Sequence, residues 1–112
     1  MNRFRDILES VAKKGGYEIL LSLYESPKKW GSLESIVKDK QAVSFRLREF
    51  LNMGLIQISV RFDTPTGSKY YELTPIGRKI AQKLKEMQED YEDYLSKAPP
   101  KGKEFLDWEP HH

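Results

Sequence analysis

The period of the apolar residues changes at Gly54, and this change limits the folds open to the chain more than any other feature. From Gln41 to Met53 apolar residues recur at the spacing of a helix face, and a glycine directly after such a run is typical of a helix C-terminus. From Leu55 to Phe62 apolar and polar residues alternate, which predicts a strand with one buried face. Turn-forming residues fill positions 63–68 and alternation resumes from Lys69 to Leu73, which predicts a β-hairpin with a loop of about six residues. The apolar residues of the first strand are Ile56, Ile58, Val60 and Phe62.

Three further helices are predicted before this helix and hairpin. Residues 2–13 carry an apolar stripe at helical spacing, and residues 17–25 are apolar on nearly every side, as in a helix of the core. A short extended piece over residues 28–30 precedes a brief third helix, which Ser32 is suited to cap. The residues of the third helix expected to face inward are Leu33, Ile36 and Val37.

A long helix follows the hairpin. Thr74 is a typical N-cap and Pro75 suits the first helical position, so this helix is predicted from Pro75 to about Leu95. The order helix, helix, short strand, helix, helix, hairpin, helix predicts an α+β, mainly helical fold: a winged helix-turn-helix with an extra N-terminal helix and a long C-terminal helix. We expect one domain over residues 1–95, flanking helices included, and a tail with proline and lysine over residues 96–112.

Composition argues against several classes of function. The chain has no cysteine, and its two histidines are His111 and His112, so transition-metal sites and histidine- or cysteine-based catalysis lack their usual groups. There is no glycine-rich phosphate loop and no convergent set of catalytic groups, so we expect neither an enzyme nor a cofactor. The apolar stretches are too short to cross a membrane, and the first ten residues lack the apolar segment of a signal peptide. We therefore expect no membrane association and a cytoplasmic location.

Charge is distributed unevenly along the chain. The net charge is only +2, but residues 28–79 hold ten basic and five acidic side chains, whereas residues 80–112 hold five basic and eight acidic ones. The basic part coincides with the predicted helix-turn-helix and hairpin. This is a modest indication of a polyanionic partner, such as double-stranded DNA.

In a winged helix-turn-helix the helix after the tight turn, here residues 41–53, enters the DNA major groove. On a helical wheel of this segment, Phe45 lies almost opposite the apolar sector that must face the core. Such a ring, next to polar and basic side chains, can contact base edges and thymine methyl groups. Two other interpretations stay open: Phe45 packs on a neighbouring subunit, or it is simply an exposed apolar residue. The candidate DNA contacts on this helix are Gln41, Ala42, Ser44, Phe45, Arg46 and Arg48.

The predicted wing, residues 61–69, supplies a second set of candidate contacts. Basic side chains flank a small polar tip, which suits contact with phosphates or with the minor groove. A pair of lysines before the third helix can neutralise a phosphate. A solvated loop and a solubilising charge pair are the other interpretations. The candidates are Arg61, Thr66, Ser68 and Lys69 in the wing, with Lys28 and Lys29 before the third helix.

The last helix is longer than a core of this size can cover, and its apolar residues follow a heptad spacing. We therefore predict a homodimer in which this seam and the stripe of the N-terminal helix form the interface. The other interpretation is that both helices pack within one monomer. Two-fold pairing predicts a pseudo-palindromic DNA site. The predicted interface residues are Phe4, Ile7, Leu8 and Val11 in the first helix and Ile80, Leu84, Met87, Tyr91 and Tyr94 in the last.

Residues 15–85 resemble the HxlR group of winged-helix transcriptional regulators, within the broader MarR, ArsR and PadR-like set. The resemblance is carried by GGYEILLSLYESPKKWGSLESIV, FRLREFLNMGLIQ and YYELTPIGRKIAQKL, with Leu47 and Phe50 seven and four residues before Gly54 and Pro65 in the wing. It implies a homodimeric DNA-binding regulator whose recognition helix includes residues 41–48. Many members carry a cysteine before the first core helix that serves redox or electrophile sensing. This chain has none, so any sensing would not use a thiol.

Two other functions stay open at this point. A winged helix that binds protein would use Phe45 and the tail residues Phe105, Leu106 and Trp108 and would have negligible DNA affinity. A non-specific architectural DNA-binding protein would rely on phosphate contacts and show a steep salt dependence without sequence preference. The sequence identifies no small-molecule effector.

Overall fold

The structure, a computed structural model, describes residues 3–97. Residues up to 82 form one compact unit, and the described part of a second unit comprises residues 83–97. The predicted tail beyond residue 97, with Phe105, Leu106, Trp108, His111 and His112, lies outside the described residues. The elements in chain order are α1 (Arg3–Ala12), α2 (Gly16–Glu25), α3 (Trp30–Val37), α4 (Lys40–Asn52), β1 (Ile56–Arg61), β2 (Ser68–Leu73) and α5 (Pro75–Lys97). This order confirms the predicted winged helix-turn-helix.

The core of the first unit lies where α2, α3 and α4 meet the base of the hairpin. Each of these helices contributes apolar residues that recur at helical spacing and therefore lie on one side of the helix. The α1 helix crosses close to the start of α2, since a side chain at Gly16 would meet the carbonyl oxygen of Ser10 at 2.0 Å. The largest fully buried side chains are Phe50, Ile19, Leu20, Leu23, Leu33, Leu55 and Val43.

Helix α4 begins at Lys40 because Asp39 caps it. The Asp39 carboxylate accepts a hydrogen bond from the Ala42 amide at 3.0 Å and forms an ion pair with Lys14 at 3.2 Å. The Ala42 hydrogen bond, followed by the hydrogen bond from Lys14, lowers the pKa of Asp39. The recognition helix predicted at residues 41–53 is therefore present, shifted by one residue at each end.

Two predictions for α3 are wrong. The helix begins at Trp30, with the extended residue Lys29 in the N-cap position, so Ser32 already lies within the helix and does not cap it. Ile36 is exposed rather than turned inward, while Leu33 is buried and Val37 half-buried. Eight residues form only two turns, and the core covers just one side of them.

The hairpin is antiparallel, with Ile56 opposite Leu73 and Arg61 opposite Ser68. Its loop, residues 62–67, has the predicted length of six residues and lies one residue earlier than predicted. Lys28 joins the hairpin edge through two backbone hydrogen bonds with Tyr71, of 3.0 and 2.8 Å, which confirms an extended piece before α3. The prediction that this piece includes Trp30 is wrong, since Trp30 begins the helix. The predicted buried face of the first strand is wrong beyond the base of the hairpin. Ile56 is buried, but the other apolar residues of the alternation are exposed: Ile58, Val60 and Phe62.

Helix α5 begins at the predicted Thr74-Pro75 junction. The Thr74 hydroxyl accepts a hydrogen bond from the Gly77 amide at 3.1 Å and donates one to the carbonyl oxygen of Gly54 at 2.6 Å. At Gly77 the helix touches the chain before β1, because an added Cβ would lie 1.9 Å from the Leu55 carbonyl oxygen. The helix runs to Lys97, two residues beyond the predicted end.

The described part of the second unit, residues 83–97, is the remainder of α5. Ion pairs one helical turn apart join Lys85 to Glu89 and Lys97 to Asp93, which supports an isolated helical segment. Tyr91 and Tyr94 stack with their ring centres 6.3 Å apart. Within residues 3–97 no helix combines the length and the apolar character that a membrane span requires.

Candidate nucleic-acid interface

The exposed side of α4 carries four of the predicted DNA contacts. Gln41, Ser44, Phe45 and Arg48 are exposed, whereas Ala42 is half-buried. Phe45 is 47% exposed, and the guanidinium carbon of Arg48 lies 5.9 Å from the centre of the Phe45 ring. Arg48 forms no ion pair within residues 3–97, so both its charge and its hydrogen-bond donors are available to a ligand.

Arg46 is one of the predicted DNA contacts, but the structure does not place it on the exposed face of α4. Its residue is only 8% exposed, because α1 packs against this flank of α4 and covers it. The Arg46 Nε lies 3.1 Å from Glu49 Oε1 in an ion pair, although its N–H is not aligned for a hydrogen bond. Ser10 donates a hydrogen bond of 2.8 Å to the same Glu49 oxygen, and Lys13 lies 3.7 Å from the other. Arg46 therefore anchors α4 to α1 and does not belong to the exposed face.

A groove of about 230 Å³ runs beside the exposed face of α4. Ser44 and Arg48 belong to both the helix face and the groove. The sequence reasoning did not select Trp30, Asn52 or Tyr71 as site residues, and no local pattern distinguishes them, since they come from three separate elements. The groove is lined by Trp30, Ser44, Leu47, Arg48, Leu51, Asn52 and Tyr71.

One face of the wing is a polar network in which the predicted cations are already paired. Arg61 lies 3.6 Å from Glu72 and stacks over Tyr70, with 5.0 Å from its guanidinium carbon to the ring centre. Lys29 lies 3.7 Å from Asp63 and also over the Tyr70 ring. This face therefore presents two cations and two carboxylates to a ligand, and its net charge is close to zero.

Hydrogen bonds hold the same network in place. The Tyr70 hydroxyl donates to Asp63 at 2.8 Å, and this bond raises the pKa of Tyr70. The pKa of Asp63 is lowered by hydrogen bonds from Ser68 first and then from Tyr70. Gln57 donates to Glu72 at 2.7 Å and is the largest cause of its lowered pKa. The two carboxylates thus stay ionised and keep the cations engaged.

The remaining predicted contacts are divided between both sides of the wing and its edge. Lys69 projects from the other face, with its Nζ 5.5 Å from the Tyr71 ring centre. Thr66 is exposed at the tip, and Ser68 is half-buried beside Asp63. Lys28 is half-buried, donates to Ser26 at 2.9 Å and lies 3.9 Å from Glu25. The structure therefore brings together the α4 face and its groove, while Lys28, Lys29 and Arg61 are held by other groups.

Each of the two predicted dimer stripes combines exposed with half-buried apolar residues. In α1, Phe4 and Leu8 are exposed while Ile7 and Val11 are half-buried. In α5, Ile80 and Leu84 are half-buried. The exposed residues of the α5 seam are Met87, Tyr91 and Tyr94, together with Leu95.

Comparison with known proteins supports the fold and the class of the chain. Residues 10–99 match the family model described as HxlR-like helix-turn-helix. A MarR-family transcriptional regulator from Enterococcus faecalis V583 has a similar structure, with a TM-score of 0.72, 21% identity and coverage of 88% of this chain and 90% of that one. The regulator ytfH from Salmonella typhimurium has a TM-score of 0.67, 18% identity and coverage of 92% and 89%. The regulator YodB from B. subtilis, in its reduced form, has a TM-score of 0.63, 19% identity and coverage of 79% and 87%.

At these identities the solved structures show a shared fold. No curated protein matches the sequence.

Proposed function

The chain belongs to the HxlR-like helix-turn-helix family, and from this premise we propose that it is a sequence-specific regulator that binds double-stranded DNA as a homodimer. The family and the structural neighbours are transcriptional regulators rather than enzymes. In the proposed complex α4 enters the major groove and the wing contacts the backbone or the minor groove. The observation that carries the proposal is the exposed face of α4, where Phe45 and the unpaired Arg48 stand side by side.

Direct readout of bases uses hydrogen bonds to base edges and apolar contacts with thymine methyl groups. An arginine can donate two hydrogen bonds to guanine, a glutamine can pair with adenine, and an aromatic ring can contact a thymine methyl group. Arg48, Gln41 and Phe45 offer these three contacts from one exposed helix face. Each good pairing contributes about 1–3 kcal/mol of discrimination against the wrong base.

The test is the selection of bound fragments from a random duplex pool at about 150 mM salt, where non-specific phosphate binding is weakened. We expect enrichment of one motif, and loss of that enrichment in Phe45→Ala and Arg48→Ala. Lys79→Ala is the matched control, because Lys79 is an exposed cation on α5 outside the proposed face. Retention without sequence preference would instead indicate architectural binding, and no retention would indicate a protein partner.

The homodimer is supported by the two exposed apolar stripes, since exposed apolar residues at heptad spacing usually pack on another helix. Sedimentation of wild type and Tyr91→Ser tests this part. Wild type should sediment as a dimer and the variant as a monomer, while Lys85→Ser, a change at an exposed position on the opposite side of the same helix, should leave the dimer intact. A dimer should select two half-sites whose centres lie about 34 Å apart, one turn of DNA. A monomeric wild type, or a single selected half-site, would contradict the dimer.

A further inference from the structure

The wing has two unlike faces. The face with Arg61 is the polar network described above. The opposite face, called here the apolar wing face, consists of the exposed side chains of Ile58, Val60, Phe62 and Lys69. Strand alternation and the pairing of Val60 with Lys69 place the three strand residues on one side. Phe62 follows in the loop, is 79% exposed and shares this side, because its ring and Val60 both lie against Gly67.

The apolar wing face is exposed because the hairpin extends past the body of the domain. Only its base is covered, where Ile56, Tyr71 and Leu73 are buried. Three neighbouring apolar side chains on a two-stranded ribbon form a patch of the kind that marks a binding surface. The Phe62 ring lies across the turn against Gly67, whose φ is +83° and where an added Cβ would approach the ring to 3.1 Å. The contact with Gly67 thus positions the Phe62 ring in the protein alone.

Charge indicates what kind of partner the apolar wing face fits. The two cations of the opposite face, Arg61 and Lys29, are already matched by carboxylates. Lys69 is the cation of the apolar wing face, and it forms no ion pair with a carboxylate of residues 3–97. A partner that combines anionic groups with apolar surface satisfies both features. The minor groove of duplex DNA does so, with phosphates along its edges and deoxyribose carbons as its walls.

The apolar wing face is also continuous with the exposed side of α4. Ile58 lies opposite Tyr71 in the hairpin register, and Lys69 lies over the Tyr71 ring. Tyr71 in turn lines the groove shared with Ser44 and Arg48. A duplex seated on α4 therefore meets this face of the wing next.

We propose that the wing contacts DNA through the apolar wing face, with Val60 and Phe62 against the walls of the minor groove and Lys69 on a phosphate. The proposal rests on the proposed function and specifies which side of the wing is used. The face with Arg61 points away from the duplex, and its network stiffens the hairpin.

The experiment measures the affinity of each variant for the selected duplex by fluorescence anisotropy across a range of salt concentrations. Phe62→Ala should weaken binding at least about tenfold, as expected when a ring-sized apolar surface loses its burial. Lys69→Gln should flatten the slope of log affinity against log salt by about 0.9, the value for one phosphate contact. Arg61→Gln is the matched control and should change affinity less than about twofold. Thermal unfolding should show that these exposed substitutions leave the fold intact.

The outcomes separate this inference from the proposed function. If wild type binds and Phe45→Ala weakens binding, but Phe62→Ala and Lys69→Gln bind as wild type, the proposed function stands and this inference is overturned. A loss confined to Arg61→Gln overturns it as well, because the polar face is then the one in contact. Loss of self-association in Phe62→Ala with unchanged DNA affinity would assign the face to a second copy of the chain. If wild type binds no duplex at all, the proposed function and this inference both fall.

Discussion

Substitution of Glu49, the one carboxylate of α4, by alanine should destabilise the fold more than the loss of any carboxylate on α5. Glu49 receives the hydrogen bond from Ser10 and balances the charge of Arg46, so it links α1 to the recognition helix. Its removal leaves the Arg46 guanidinium covered by α1 without a carboxylate. A buried charge without a partner is far more costly than a lost ion pair in solvent.

The magnitude follows from the burial of the two side chains. Breaking a fully buried pair costs about 3–5 kcal/mol. The Arg46 side chain is 10% exposed but that of Glu49 is 33% exposed, so water screens part of the interaction. We therefore assign about 2 kcal/mol to the loss of the ion pair, and the lost hydrogen bond from Ser10 adds about 1 kcal/mol to the destabilisation. A total of about 3 kcal/mol lowers the Tm of a domain of this size by roughly 15 °C.

The assay is thermal unfolding at one fixed protein concentration, because dimerisation makes the Tm depend on concentration. Glu89→Ala is the control, since Glu89 pairs with Lys85 in solvent and its loss should cost at most about 0.5 kcal/mol. The double variant Glu49→Ala/Arg46→Met should recover most of the lost stability, because the uncompensated charge is gone. A Tm drop of less than about 5 °C for Glu49→Ala, or no recovery in the double variant, would refute the reasoning.

Two further predictions concern the ends of helices. Gly77→Ala should lower the free energy of unfolding by about 3 kcal/mol, because the added Cβ would lie 1.9 Å from the Leu55 carbonyl oxygen and α5 would have to move. Equal denaturant midpoints for wild type and variant would contradict this contact. Asp39 has a pKa below its ordinary value, owing first to the hydrogen bond from the Ala42 amide and then to that from Lys14. Its ionised form therefore stabilises the fold fully at pH values above the unfolded pKa near 3.8, and this contribution is lost as the pH falls through the folded pKa. Asp39→Asn keeps the cap without titrating, so the Tm advantage of wild type over this variant should shrink between pH 7 and pH 3, and a constant difference would disprove the role of the charge.

The family and the elements of the fold were accessible from the sequence because the signals that specify them are local. The change of period at Gly54 and the Thr74-Pro75 junction depend on neighbours within a few residues, and the structure places both where they were predicted. The helical wheel likewise predicts an exposed Phe45, because a helix whose core side is known has a definite opposite side.

Which outward-pointing side chains are buried by other segments was decided by the tertiary structure alone. Arg46 stands on a flank that the wheel leaves open, and it is buried because α1, more than thirty residues earlier in the chain, packs there. The alternation of the first strand correctly predicts a two-faced ribbon, but burial of Val60 and Phe62 would require a body that reaches as far as the hairpin does, and it covers only the base. Arg61 is a cation in the sequence, yet in space it is matched by Glu72. Periodicity determines the direction in which a side chain points, whereas its partner in that direction depends on contacts between segments that are distant in the chain.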